Sequence, residues 1–319
     1  MKKGLIIVSI VLIVVGLLLF GLALVLAGGD ITKLGAEKYE TKTYDVEEDF
    51  SSIEIEVKEH DVTFKPSEDG KTKVVCEEKD KLSYLIVVDN DTLRIVERDE
   101  RKWYDHIRFF SKSVALTVYL PAGSYDALKV NASTSDLRIP SDFSFGKTEI
   151  SLSTGDVECE ASVSGALVIT TSTGNIHLHS SNVGNVQLTT STGDIKANSL
   201  TCSGDVVVKV STGDVNLTDL TCKSFTTEGS TGDVQMKNFV AEGNIVIKRS
   251  TGDVTMEKID GAEIDVETST GDVQGSVKTS KIFFTQTSTG SIHTPESLEG
   301  GKCRIKTSTG DIRMEIASD

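Results

Sequence analysis

Hydrophobic positions follow two rhythms along this chain. From Gly4 to Gly29 they run without a single charged residue and are rich in Leu, Ile and Val. A run of about 26 residues exceeds the ~20 a helix needs to cross the hydrocarbon core, and exceeds the apolar region of an ordinary signal peptide. It predicts a membrane-spanning helix within residues 1–30. Lys2 and Lys3 on one side and Asp30 on the other place the short N-terminal stub in the cytoplasm and everything after it outside. Val25 and Ala27 are small enough to permit cleavage after Ala27, so retention or removal of the helix stays open.

After a polar linker, 31–45, the rhythm changes to alternation. Ile53-Glu54-Ile55-Glu56-Val57 reads as a half-buried strand, and further strands are expected at 73–76, 84–88, 93–96 and 114–120. Residues 46–132 thus form a β region that either begins the architecture that follows or caps its open end. From 133 to 319 the alternation is organised by a recurring turn, Ser-Thr-Gly-Asp. Its serines are Ser153, Ser172, Ser191, Ser211, Ser230, Ser250, Ser269, Ser288 and Ser308, with a degraded copy at Ser133, always 19 or 20 residues apart. Strand-like repeats of fixed period predict a parallel β-solenoid of about 19–20 residues per coil, each strand pairing with its counterpart one coil on. Ten coils at roughly 4.8 Å would make a rod of about 50 Å. On the period-2 rule Leu167 and Ile169, Val186 and Leu188, Val206 and Val208 and their counterparts face the core. So do Val157, Ile176, Ile195, Val215, Val234, Val254, Val273, Ile292 and Ile312, and a third wall of Leu200, Leu220, Phe239 and Ile259.

The corners follow from the same alignment. Gly155, Gly174, Gly193, Gly213, Gly232, Gly252, Gly271, Gly290 and Gly310 mark a turn needing positive φ. A looser corner is expected at Gly165, Gly184, Gly204, Gly243, Gly261 and Gly300. The neighbouring Asp156, Asp194, Asp214, Asp233, Asp253, Asp272 and Asp311 form a column, interrupted by Asn175 and Ser291. Stacked carboxylates repel by about 1 kcal/mol each in water-like surroundings. A Ca²⁺ ladder on Asp194, Asp214, Asp233, Asp253 and Asp272 is one answer, but the glycine-rich nonapeptide of Ca²⁺-binding β-rolls is absent. Turn closure by the carboxylates is the other and better one. Thr171/Thr173, Thr190/Thr192, Thr268/Thr270, Thr287/Thr289 and Thr307/Thr309 have the T-x-T form of ice-binding solenoids, but their parity points both members inward.

Composition adds limits. A formal charge of −15 and a pI near 4.8 argue against nucleic acid and against lying flat on anionic lipid. Cys76, Cys159, Cys202, Cys222 and Cys303 show no zinc-type spacing. Cys202 and Cys222 stand one coil apart, within disulfide reach, although side chains stacked in register point the same way. His177 and His293 lie six coils apart by column, so they share no metal. No nucleophile and base recur together, and the loops are shorter than those carrying the grooves of polysaccharide-cleaving β-helices; no enzyme, metal or cofactor is expected. The segment 98–112 breaks the pattern, gathering Trp103, Tyr104, Phe109 and Phe110 into a candidate partner-contact loop or an excursion packed on the solenoid.

Phe50-Ser51-Ser52-Ile53-Glu54-Ile55, Asp61-Val62-Thr63-Phe64-Lys65-Pro66-Ser67, Val118-Tyr119-Leu120-Pro121 and the Ser-Thr-Gly-Asp-Val repeats together resemble a bacterial family of β-strand-repeat domains of unknown function, labelled putative adhesin. The resemblance covers roughly residues 45–316. It implies a membrane-tethered, outward-facing solenoid, associated with envelope-stress systems of Gram-positive bacteria, that meets cell-wall polymer or an envelope protein. A sensory or scaffolding subunit acting through a membrane partner is the first alternative, and a polysaccharide-active β-helix enzyme is a more remote one.

Overall fold

A computed structural model of the chain describes residues 2–26, 28, 40–78, 81–100, 114–179 and 182–317. Residues Lys2–Leu26 form one helix of 25 residues whose described side chains from Val8 onward are not buried by the rest of the chain. It is long and apolar enough to cross a membrane.

The remainder is a β-solenoid built on the two walls that alternation predicts. Each coil lays one strand on the first wall, turns at Ser-Thr-Gly-Asp, and lays the next on the second. Ser162–Thr173 pairs in parallel with Asn182–Thr192, matching Leu167 to Val186 and Ile169 to Leu188. On the second wall Ile176 stacks on Ile195, Ile195 on Val215 and Val215 on Val234. Side chains in these columns are 0–2% exposed, making one continuous core from Ile53 to Met314. Leu200, Leu220, Phe239 and Ile259 are buried as a third wall. The turn into that wall carries no glycine: Ser199, Asp219, Asn238 and Lys258 adopt φ of 50–54°, a left-handed corner that composition does not announce.

Three features depart from the sequence reading. The strand Glu40–Val46 takes up the end of the segment 31–45 read as linker and runs one residue past it, because it adds antiparallel to Thr72–Glu78. Regular parallel stacking already begins at Gly123–Thr134, ten residues before the first degraded turn. The order of coils is also not sequential at either end. At the N-terminal end Ser52–Val57 sits between Thr92–Asp99 and Gly123–Thr134. At the C-terminal end Gly301–Lys306 inserts between Ile264–Thr270 and Lys281–Gln286, so the coil of Ser288, not that of Ser308, is outermost. His293 is thereby carried one coil further from His177 than the sequence order implies.

Charge on the outward positions matches both insertions. Glu263, Asp265 and Glu267 face Lys302, Arg304 and Lys306 of the inserted strand, with Arg304 donating to Asp265 through Nε and Nη2 and Lys306 3.2 Å from Glu267. The strand it displaces offers Ile282, Phe284 and Gln286 at those places. At the other end Glu54 of the inserted strand lies 3.1 Å from Arg94 on one neighbour and 2.9 Å from Lys129 on the other. Opposite charges directly across a ladder favour one register over its rivals.

Candidate functional site

The recurring corner is the first candidate. Its nine glycines have φ between 124° and 150°. A second constraint is steric: a Cβ on Gly174 would lie 2.0 Å from the carbonyl oxygen of Gly155, and the same approach of 2.0–2.1 Å recurs through Gly310. Backbone stacks on backbone here, so only hydrogen fits. The aspartates do not close their own turns. Each accepts the backbone N–H of the corresponding residue one coil on: Asn175 N–H to Asp156 Oδ1 at 2.7 Å, Asp214 to Asp194 at 2.9 Å, Asp233 to Asp214 at 2.8 Å, Asp253 to Asp233 at 2.8 Å and Asp272 to Asp253 at 2.8 Å. Asn175 continues the ladder by accepting from Asp194 at 2.9 Å. The file starts at Asp61, which accepts from Asp136 N–H at 3.0 Å, and follows the spatial order at the far end, from Asp272 to Asp311 to Ser291. A charge-assisted bond of this kind contributes about 1.5–3 kcal/mol, enough to offset the ~1 kcal/mol repulsion between neighbours. Hydrogen bonds from Ser291 hold the Asp311 carboxyl below its ordinary range.

Threonines support the same corner from inside. Thr171, Thr190, Thr268 and Thr307 are buried, and the hydroxyls of Thr190 and Thr307 each donate to the carbonyl of the preceding turn glycine, both at 3.1 Å. Their partners Thr173, Thr192, Thr270 and Thr309 are exposed, because the chain leaves the period-2 geometry as it enters the turn. The file is broken at Gly229 and Arg249, which are complementary. Arg249 is 4% exposed and donates to Val210 O at 3.2 Å and Thr227 Oγ1 at 3.5 Å, spanning coils through space that a Cβ on Gly229 would fill. Burial lowers the pKa of its guanidinium while Asp214 and Asp233 pull the other way.

A second cluster is buried where the N-terminal antiparallel strands meet the solenoid. His60 Nδ1 lies 2.9 Å from Glu97 Oε2, which also accepts Lys58 N–H at 2.7 Å, and both side chains are 1% exposed. The Tyr84 ring meets the imidazole edge-on at 5.5 Å. Glu78 accepts from Lys42 and the Tyr44 hydroxyl, each at 2.6 Å, and from Tyr84 N–H at 3.2 Å. Burial alone would raise both carboxyls, but hydrogen bonds from His60 and Lys58 to Glu97, and from Lys42, Tyr44 and Tyr84 to Glu78, hold them below the ordinary carboxylate range. These residues were missed as a site, yet parity marks them: His60 precedes Val62 and Phe64 on the inward face, and Glu97 follows Leu93 and Ile95.

The structure does not bring the other candidates together. Among the described residues no three His, Cys, Asp or Glu side chains converge as a metal site. All five cysteines are buried and unbonded, Cys202 and Cys222 included. Burial pushes the thiols up, to about 12 for Cys76, Cys159, Cys222 and Cys303, far from a reactive thiolate. Trp103, Tyr104, Phe109 and Phe110 lie outside the described residues.

Comparison with known proteins completes the site. No functionally curated protein matches the chain. Solved structures similar to it include a putative adhesin of Bacteroides fragilis, 16% identical over 88% of this chain and 98% of that one, with a TM-score of 0.37. Another is a putative lipid binding protein of Parabacteroides distasonis, 12% identical over 86% and 97%, with a TM-score of 0.44. A putative adhesin of the same organism is 15% identical over 86% and 98%, with a TM-score of 0.43. The Toastrack DUF4097 family model matches residues 50–315, from the strand that carries Glu54 to the last coil, and the chain therefore belongs to the Toastrack DUF4097 family.

Proposed function

We propose that the chain is a non-enzymatic, membrane-anchored envelope protein whose solenoid stands outside the cytoplasm and binds cell-wall polymer or an envelope protein, as an adhesin does. The observation that carries this reading is the use to which the recurring polar groups are put. Ladder aspartates hold coil to coil, inner threonines cap turn carbonyls and the thiols are buried, so the chemistry repeated along the chain is spent on architecture. What faces outward is a field of charge on a rigid scaffold, joined to a 25-residue apolar helix. A surface of that kind suits recognition by charge and shape rather than turnover. The envelope-stress setting that the family resemblance implies is compatible with such a tethered binder. Protease added to protoplasts should remove the region after residue 40 while sparing a fragment containing Lys2–Leu26. A C-terminal region that resists until the membrane is lysed would reverse the topology.

A further inference from the structure

The last strand of the first wall, Lys281–Gln286, pairs on one side only, with Gly301–Lys306; among the described residues its other edge has no strand partner. Such edges are ordinarily protected by a charge, a proline or a bulge. This one is not. Its one charged residue, Lys281, is 5% exposed and held by Asp260 at 2.7 Å, which leaves Ile-Phe-Phe-Thr-Gln along the edge. Phe284 is 53% exposed, and Ile292, which ends a column elsewhere fully buried, is 42% exposed in the same outermost coil.

We propose that this edge is a self-association surface, taken by the same edge of a second copy of the chain in antiparallel, two-fold pairing. Two observations select that occupant. The strand tolerates its own copy: with Phe283 opposite Phe283 of the second copy, exposed Phe284 meets Ile282 in both directions, and no charge stands opposite a like charge. Charge permits the approach as well. Residues 281–317 carry five Lys or Arg and four Asp or Glu, against 28 and 44 in the rest, so the chain's −15 resides wholly outside them. The basic row next in from the edge, Lys302, Arg304 and Lys306, faces Glu263, Asp265 and Glu267 and brings no unopposed positive field to the contact. An acidic rod that repels its copies along its length is close to neutral at this tip.

The test uses the full chain in detergent micelles. Sedimentation should show a dimer, and Phe284→Lys should weaken it by about tenfold or more while leaving the thermal unfolding midpoint of the dilute monomer in place, because the side chain it replaces is exposed. Phe283→Cys should form a disulfide-linked dimer on mild oxidation, since directly opposed Cα atoms stand about 4.5–5.5 Å apart. Ile282→Cys and Phe284→Cys should cross-link when the two chains are mixed and poorly when each is alone. A monomer at every attainable concentration overturns the proposal. So does a dimer that Phe284→Lys leaves intact, which assigns association to another surface such as the helix.

Discussion

The two ends of the solenoid use the same device and finish differently. Each inserts a coil out of sequence order and holds it by outward charge, Glu54 to neighbours on both sides, Arg94 and Lys129, at one end, and Arg304 to Asp265 on one side only at the other. Only the N-terminal end then receives a lid. Glu40–Val46 and Thr72–Glu78 continue the second wall in antiparallel fashion and Leu82–Asp89 continues the first, while the C-terminal end stops at Lys281–Gln286 and the two-residue strand Ile292–His293. One column measures the difference: Leu116 in the outermost coil at the lidded end is 0% exposed, and Ile292 in the outermost coil at the other is 42% exposed. A stack of coils must cover its terminal apolar faces or meet a partner there. The lid does the first, and the bare end is fitted for the second.

The largest expected effect is at the buried pair of His60 and Glu97, on which the lid sits. Glu97→Ala removes the partner of His60 and of Lys58 N–H at a position where both side chains are 1% exposed, and should cost about 3–5 kcal/mol in urea unfolding. A loss below ~1 kcal/mol would mean that the lid contributes little to closing this end. Next comes the shared column. Leu116→Ala should destabilise by about 2–5 kcal/mol, whereas Ile292→Ala in a non-associating background such as Phe284→Lys should cost under about 1 kcal/mol, since little burial is lost. Equal losses would erase the distinction between the ends.

Acid should loosen the lid in a defined direction. Glu78 and Glu97 have folded pKa values depressed below the ordinary 4.5, so the stability they contribute is present above that pH and is lost as the pH falls further, through the folded values. The urea unfolding midpoint should therefore fall as the pH drops below about 4.5, and Glu97→Gln should flatten that dependence. The smallest effect belongs to the outer charges. Arg304→Asp should lower the unfolding midpoint slightly, and the loss should shrink in ~1 M salt because the pair is exposed to solvent. Asp265→Arg in the same chain should restore it.

Much of this was legible in the chain before the fold. The nine serines fix the period, and parity assigns Val157 through Ile312 to the core because backbone alternation leaves each residue one face or the other; Ile292 alone of that column is not buried, because its coil is the outermost. What escaped depends on relations between coils rather than within one. Asp214 could satisfy its own turn or the N–H of Asp233, and local sequence does not distinguish them. Thr173 has inward parity but is the last residue of its strand and is exposed at the corner. Coil order looks sequential until outward residues are read as sets, acid at Glu263, Asp265 and Glu267 and base at Lys302, Arg304 and Lys306. His60 and Glu97 were visible as polar residues in core positions, and Ser199, Asp219, Asn238 and Lys258 gave no glycine to mark their corner.

The claim that one end is closed and the other open is tested most directly by amide hydrogen exchange on the full chain carrying Phe284→Lys, which keeps the bare edge unpaired. Amides of Ser52–Val57, flanked by a strand on each side, should exchange slowly, and those of Lys281–Gln286 that face away from Gly301–Lys306 should exchange faster by orders of magnitude. Protection of Lys281–Gln286 equal to that of Ser52–Val57 would contradict the account.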